Sequence, residues 1–199
     1  MRPYTKNYPA RGGRRGNGAA PAIAVTLSMP QAIDGDHAAM TTESEPIASR
    51  PRFAPGYGIP ENADGLLPWS WVVQRLETTR NYWIGSTKPD GAPHAMPVWA
   101  LWVGDAVIFS TSPVSRKGRN LARDPRVIVG IEHDDDVIVL EGVVEGITLD
   151  PGIADLYATK YDYRPDPGSE NEAWYRLRPR IAYAWDRNYP RTVTSFSFG

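Results

Sequence analysis

"TSPVSRKGRNLARDPRV", residues 111–127, places five basic side chains between two apolar runs. The run before it, "AVIFSTS" (106–112), and the run after it, "RVIVGIE" (126–132), are rich in β-branched residues and read as strands. Between them "SRKGRNLARD" (115–124) reads as a short helix with Ser115 as its N-cap. A strand ending in Ser110, Thr111 and Ser112 therefore hands over, through a tight turn, to a helix whose start carries Ser115, Arg116 and Lys117. The first turn of a helix presents unpaired N–H groups and the positive end of the helix dipole. Arg116 and Lys117 add full charges there, and Ser115 adds a hydroxyl donor. Such donors converge on one anion, and a phosphate monoester at the end of a cofactor is its natural occupant. By itself the motif divides evenly between this reading and a solvated basic helix with a serine cap.

Working outward, "NYWIGST" (Asn81–Thr87) is a strand, "KPDGAP" (88–93) a turn with Gly91 free to take positive φ, and "HAMPVWALWV" (94–103) a second strand. Met96, Val98, Ala100 and Trp102 share one face of it, so Trp99 and Trp102 point to opposite sides. Pro97 marks an edge position or a bulge. Gly104 and Asp105 close a hairpin to the strand at 106–112. Further on, "VIVLEGVVEGI" (137–147), "WYRLRPRIAYAW" (174–185) and "TVTSFSF" (192–198) read as strands. "PWSWVVQRLETTR" (68–80) is a helix with Trp69, Val72, Val73 and Leu76 on one face and Pro68 at its first position. "PGIADLYATKYD" (151–162) is another, capped by Asp150. Six or seven antiparallel strands with two or three helices define a mainly β chain: a β-barrel with peripheral helices.

The chain has 199 residues, enough for one domain and a tail. Residues 1–65 lack periodicity and read as disordered or loosely packed, leaving 66–199 as the organised domain. Residues 1–15 hold five basic residues and no acid, whereas the rest of the chain is net acidic. "RGGRRG" (11–16) is read as a solvated tail, with nucleic-acid binding the minor alternative. Met40 opens "MTTESEP", so a native start there, with 1–39 not part of the native chain, is a further reading. No cysteine is present, which excludes disulfides, thiolate metal sites and cysteine nucleophiles and fits a cytoplasmic protein. No apolar window is long enough for a membrane span, and no signal peptide is read in "AAPAIAVTL" (19–27). Three dispersed histidines give no metal site. The run Asp134, Asp135, Asp136 is a turn rather than a calcium loop. No nucleophile elbow appears.

Taken together, "TKPDGAPHAMPVW", "FSTSPVSRKGRNLARDPRVIV" and "VIVLEGVVE" resemble the pyridoxamine 5′-phosphate oxidase-like family, the flavin and deazaflavin (F420) oxidoreductases built on the FMN-binding split barrel. The resemblance runs from about Leu67 to Phe198. It implies a split-barrel cofactor-binding domain over 66–199 and a homodimer with FMN or F420 at the subunit interface. Ser115, Arg116 and Lys117 would meet the cofactor phosphate. Ser110 and Thr111 would contact the ribityl or phosphate end, and the strand residues Met96, Pro97, Val98 and Trp99 the ring and ribityl chain. Trp185, six residues after Pro179, would approach the cofactor from the other subunit. The family's oxidases carry R-x-V-L-L-K on the second strand and a C-terminal R-L-H-D-R. Here "HAMPVW" puts His94 and Trp99 at the ends of the first motif, and "PRTVTSFSF" replaces the second. These departures point away from vitamin B6 oxidation and toward the branch whose members use F420 or FMN. Arg119, Arg123 and Arg126 would suit an acidic cofactor tail, or they are solvated charges. Asn120 caps or packs. His94 faces the cofactor or is a packed strand residue, and Glu141 is structural or meets the partner subunit. The expected activity is hydride transfer between the cofactor and a small organic substrate, with no acid–base residue assigned. The alternative is a cofactor-binding carrier or sensor without turnover.

Overall fold

The structure is a computed structural model and describes residues 45–199; the basic tail, the apolar stretch at 19–27 and Met40 lie outside the described residues. Eight strands and three helices follow in the order β1 (Ile47–Ser49), α1 (Trp69–Thr78), β2 (Asn81–Thr87), β3 (Pro93–Val103), β4 (Ala106–Thr111), α2 (Arg116–Arg123), β5 (Arg126–His133), β6 (Asp136–Ile147), α3 (Pro151–Tyr161), β7 (Ala173–Trp185) and β8 (Thr194–Ser197). All ladders are antiparallel, and the order β7-β4-β3-β2-β5-β6 closes on itself because β6 also pairs with β7. This is the β-barrel with peripheral helices that the sequence pattern implies; of the six or seven strands expected, six form the barrel, and β8 and β1 extend it from β7.

Side-chain alternation explains which face of each strand is inside. Tyr82 and Ile84 of β2, Val127, Val129 and Ile131 of β5, and Ile138 and Leu140 of β6 fill the barrel with Phe109, Leu177 and Phe196. Helix α1 closes one end by burying Val72 and Leu76, while Trp69 packs edge-on against Trp102, Phe196 and Phe198. Pro68 is the N-cap of this helix, one position before its first turn. Helix α3 covers a second cluster outside the barrel, built on Tyr157, Tyr161, Leu101, Ile108 and Trp174. Its cap is the predicted one: the Asp150 carboxylate accepts from the Gly152 and Ile153 N–H groups.

Strand β1 falls within the segment read from sequence as loosely packed. Its three residues are all exposed and show no apolar alternation, so nothing local announces it. It is held from outside: β1 pairs with β8, and the next residue, Arg50, donates to the carbonyls of Asn62, Asp64 and Val193.

Candidate functional site

Strands β3 and β4 share a ladder only from Ala100–Phe109 to Val103–Ala106. Before Ala100, β3 pairs with β2 alone, and beyond Phe109, β4 pairs with β7 alone. The two strands therefore part, leaving a gap edged by residues 94–99 on one side and by Ser110 and Thr111 on the other. Continuing the ladder's alternation past the tight hairpin turns the backbone groups of Ala95, Pro97 and Trp99 toward this gap. Pro97 lacks an N–H, which costs nothing on an edge with no strand beside it. Met96 faces the side of the sheet occupied by core residues but is half exposed, because the barrel opens at this point.

Helix α2 starts at the end of the gap. Ser115 caps it by accepting from the Gly118 N–H at 2.9 Å, and its hydroxyl lies 3.1 Å from Thr111 Oγ1. The turn is tight enough that a Cβ on Gly118 would stand 2.4 Å from the Ser112 carbonyl oxygen and 2.7 Å from that of Pro113. The Gly118 N–H is thus taken by the cap and that of Arg119 by the Ser115 carbonyl. The N–H groups of Arg116 and Lys117 find no acceptor among the described residues. Lys117 is 6% exposed, and no hydrogen bond or ion pair holds its ammonium among the described residues. Burial lowers its pKa to about 8. The stem of Lys117 is buried while its ammonium opens to solvent at the corner, beside two unpaired N–H groups, so the three donors face one place where an anion can join them. The donor set at this corner therefore fits the phosphate of a bound nucleotide-like cofactor.

The structure brings nine of the ten sequence-predicted site residues to the gap or its end: Met96, Pro97, Val98 and Trp99 on β3, Ser110 and Thr111 on β4, and Ser115, Arg116 and Lys117 at α2. The Trp99 ring is stacked on Tyr161 at 4.9 Å, leaving the strand backbone as its share of the gap. Trp185 stands apart, at the far end of β7 from the residues that pair with Ser110 and Thr111.

The other three arginines of the opening motif have partners. Arg119 donates to the Val114 carbonyl, and Arg123 to the carbonyls of Thr87 and Lys88 at 2.7 and 2.9 Å. Arg126 forms a two-pronged bond to Asp124, whose carboxyl it holds at a pKa of about 2. Arg123 and Arg126 tie α2 to the barrel, while Arg119 braces the turn before it. Asn120 is buried and donates to Ser86 Oγ at 3.1 Å, which in turn leans on the His94 carbonyl, so its place is structural.

The outer sheet face holds a groove of about 700 Å³, running from His94 and Ala95 across Ile128 and Glu141 to Arg180. The Nδ1 atom of His94 is buried without a partner. A second groove of about 610 Å³ shares Glu141 and Ile181 with the first and continues to Tyr183, Trp185, Arg52 and Phe53. Neither groove is legible in the sequence, because the irregular ladder beside them arises only where Gly142 meets Pro179 on another strand.

A closed barrel parted between two of its strands defines a split barrel. The family model described as pyridoxamine 5′-phosphate oxidase matches residues 72–186, more than half the chain, and the chain belongs to that family. No curated protein matches it. Among solved structures it is similar to the conserved hypothetical protein Rv2991 of Mycobacterium tuberculosis, with 22% identity over 64% of this chain and 89% of that one and a TM-score of 0.55. It is also similar to a protein of Clostridium acetobutylicum related to general stress protein 26, of the pyridoxinephosphate oxidase family. There the identity is 12% over 65% and 92% of the two chains, with a TM-score of 0.50. These likenesses concern the fold. No helix among the described residues is long and apolar enough to cross a membrane.

Proposed function

We propose that the chain is an FMN- or F420-dependent oxidoreductase acting on a small organic substrate, as a cytoplasmic homodimer. The observation that carries this reading is Lys117: a cation 6% exposed, unpaired, beside the unpaired N–H groups of its own helix start. FMN or F420, when bound, supplies the ring that carries the hydride. The Lys117 ammonium, the Arg116 guanidinium and the two free N–H groups bind its phosphate. The hydroxyls of Thr111 and Ser110 flank it. The backbone of Ala95, Pro97 and Trp99 orients the ring, and Met96 and Val98 give it an apolar wall that excludes water.

Trp185 supports the homodimer. It lies twelve residues along β7 from Ala173, the partner of Thr111. At about 3.3 Å per residue that is about 40 Å of strand. Trp185 thus sits at the opposite end of β7 from the Lys117 corner, and its approach to the cofactor is assigned to a second copy.

The test is a fluorescence titration of the apoprotein with FMN and, separately, with F420. One cofactor should bind, and Arg116→Ala with Lys117→Ala should weaken it at least about tenfold, the worth of one or two charged hydrogen bonds. Unchanged affinity in the double variant would overturn the reading. Oxidation of the reduced cofactor by a panel of small conjugated carbonyl and nitro compounds then separates an enzyme from a carrier.

A further inference from the structure

The outer face of β2, β5, β6 and β7 leaves large apolar side chains in solvent. Trp83 is 51% exposed, Ile128 50%, Ile181 37% and Val143 36%. They are contiguous by register: Ile128 lies opposite Gly85 on β2 and Glu141 on β6, and Glu141 lies opposite Ile181 on β7. Gly85 is needed for this, since a Cβ there would stand 2.6 Å from the Ile128 side chain, which lies across it. A patch of this kind is rarely left uncovered on a free surface.

Glu141 and Arg180 sit within the patch, set there by an irregularity of the β6–β7 ladder. Where Glu141 pairs with Ile181 and Gly142 with Pro179, Arg180 is left over as the extra residue of a β-bulge. Proline favours such a break, and Gly142 permits it, because a Cβ there would lie 2.6 Å from the Arg178 carbonyl oxygen. A bulge re-aims its side chain, and this one turns Arg180 into the groove that Glu141 also lines. The surrounding charges pair within the chain: Arg176 and Arg178 with Glu145, and Arg126 with Asp124. Glu141 and Arg180 do not, either with each other or with any other described residue.

An apolar groove that holds an acid and a base with no partner in their own chain can complement itself under a two-fold axis, where residue i of one copy meets j of the other and j meets i. We infer that a second copy of this chain covers the face, and that Glu141 of each copy pairs with Arg180 of the partner subunit. The inference rests on the homodimer proposed above and adds the contact that specifies it.

The test is a charge swap read by analytical ultracentrifugation of the full chain over a range of concentrations, with FMN and F420 titrations alongside. Glu141→Arg sets arginines against each other across the axis, and Arg180→Glu does the same with glutamates. Each single variant should weaken dimerisation at least about tenfold. The double variant should recover to within about threefold of wild type. Glu141→Gln, a milder change, should weaken the dimer less than Glu141→Arg, and it keeps the test decisive if a reversal variant melts before it can be measured. Single variants that dimerise like wild type, or a double variant no better than the worse single, would overturn the cross-pair. A wild-type dimer that binds neither cofactor would instead overturn the proposed function and leave the pair standing.

Discussion

Thr111 Oγ1 and Ser115 Oγ lie 3.1 Å apart, so the last residue of β4 and the cap of α2 share a hydrogen bond across the turn between them. The Ser115 oxygen also accepts from the Gly118 N–H. One hydroxyl thus ties strand to helix and fixes the direction of the helix start. Ser115→Ala should lose about 1 kcal/mol of stability, the usual worth of a serine cap. That corresponds to a fall of roughly 2–4 °C in Tm for a domain of this size. The melt should be made without cofactor, so that the cap is measured apart from binding. Cofactor affinity should fall in the same variant; an unaltered Tm would remove the cap from the account.

Gly118→Ala sets two effects against each other. Alanine is favoured over glycine within a helix by about 1 kcal/mol. The new Cβ, however, would meet backbone oxygens of Ser112 and Pro113 at 2.4 and 2.7 Å, and backbone cannot rotate away as a side chain can. Overpacking of this kind typically costs about 1–3 kcal/mol. The clash should win: the variant melts lower than wild type and binds cofactor more weakly, because the turn must move off the helix start. A higher Tm would mean that the turn is looser than described.

Lys117 gives a pH dependence of known sign. Its folded pKa is lowered by burial to about 8, below the ordinary value of 10.5. Between these values the unfolded chain holds more protons than the folded one, so apoprotein stability should rise as pH rises from about 8 to 10.5. Lys160, also lowered to about 8 by burial, adds a change of the same sign. The difference between wild type and Lys117→Met isolates the Lys117 share, and urea unfolding at a series of pH values measures it. Cofactor binding should behave oppositely. A phosphate favours charged Lys117, so affinity should fall as pH rises beyond about 8 in wild type and stay flatter in Lys117→Met.

Much of this fold is visible in residue order, and the exceptions share a cause. The strand Asn81–Thr87 and the Ser115 and Asp150 caps are local features, set by alternation or by one side chain beside its own helix. Strand β1 has no pattern of its own and depends on Arg50 reaching carbonyls up to 143 residues away. The bulge at Arg180 arises only when Pro179 is set against Gly142 on another strand. Within the site, a basic helix start reads equally well as a wet surface until Lys117 is seen to be buried and Arg119 and Arg123 are seen to be occupied. The spacing of Trp185 from Pro179 carries no information about its separation from Lys117, which follows from the course of β7.

The Tyr161 hydroxyl marks where β3 changes neighbours. It accepts from the Ala100 N–H at 2.9 Å and lies within donating distance of the Ala100 carbonyl at 2.6 Å and the Arg80 carbonyl at 2.8 Å. The β2–β3 ladder ends at Asn81 and Trp99, and Ala100 is the next residue. Tyr161 therefore extends that ladder by one step from α3, while its ring stacks on Trp99. Burial raises its pKa to about 12, so it remains a neutral donor through the physiological range. Tyr161→Phe keeps the stack and removes only the hydroxyl; Lys160 Nζ still donates to the Ala100 carbonyl, but the buried Ala100 N–H is left unpaired at a cost of about 1–3 kcal/mol. Trp99 borders the gap on one side and rests on this ring on the other, so the loosened bend should weaken cofactor binding with no contact to the cofactor lost. Calorimetry of unfolding and a cofactor titration on the same variant check both parts; a lower Tm with unchanged affinity would show that the bend and the gap are independent.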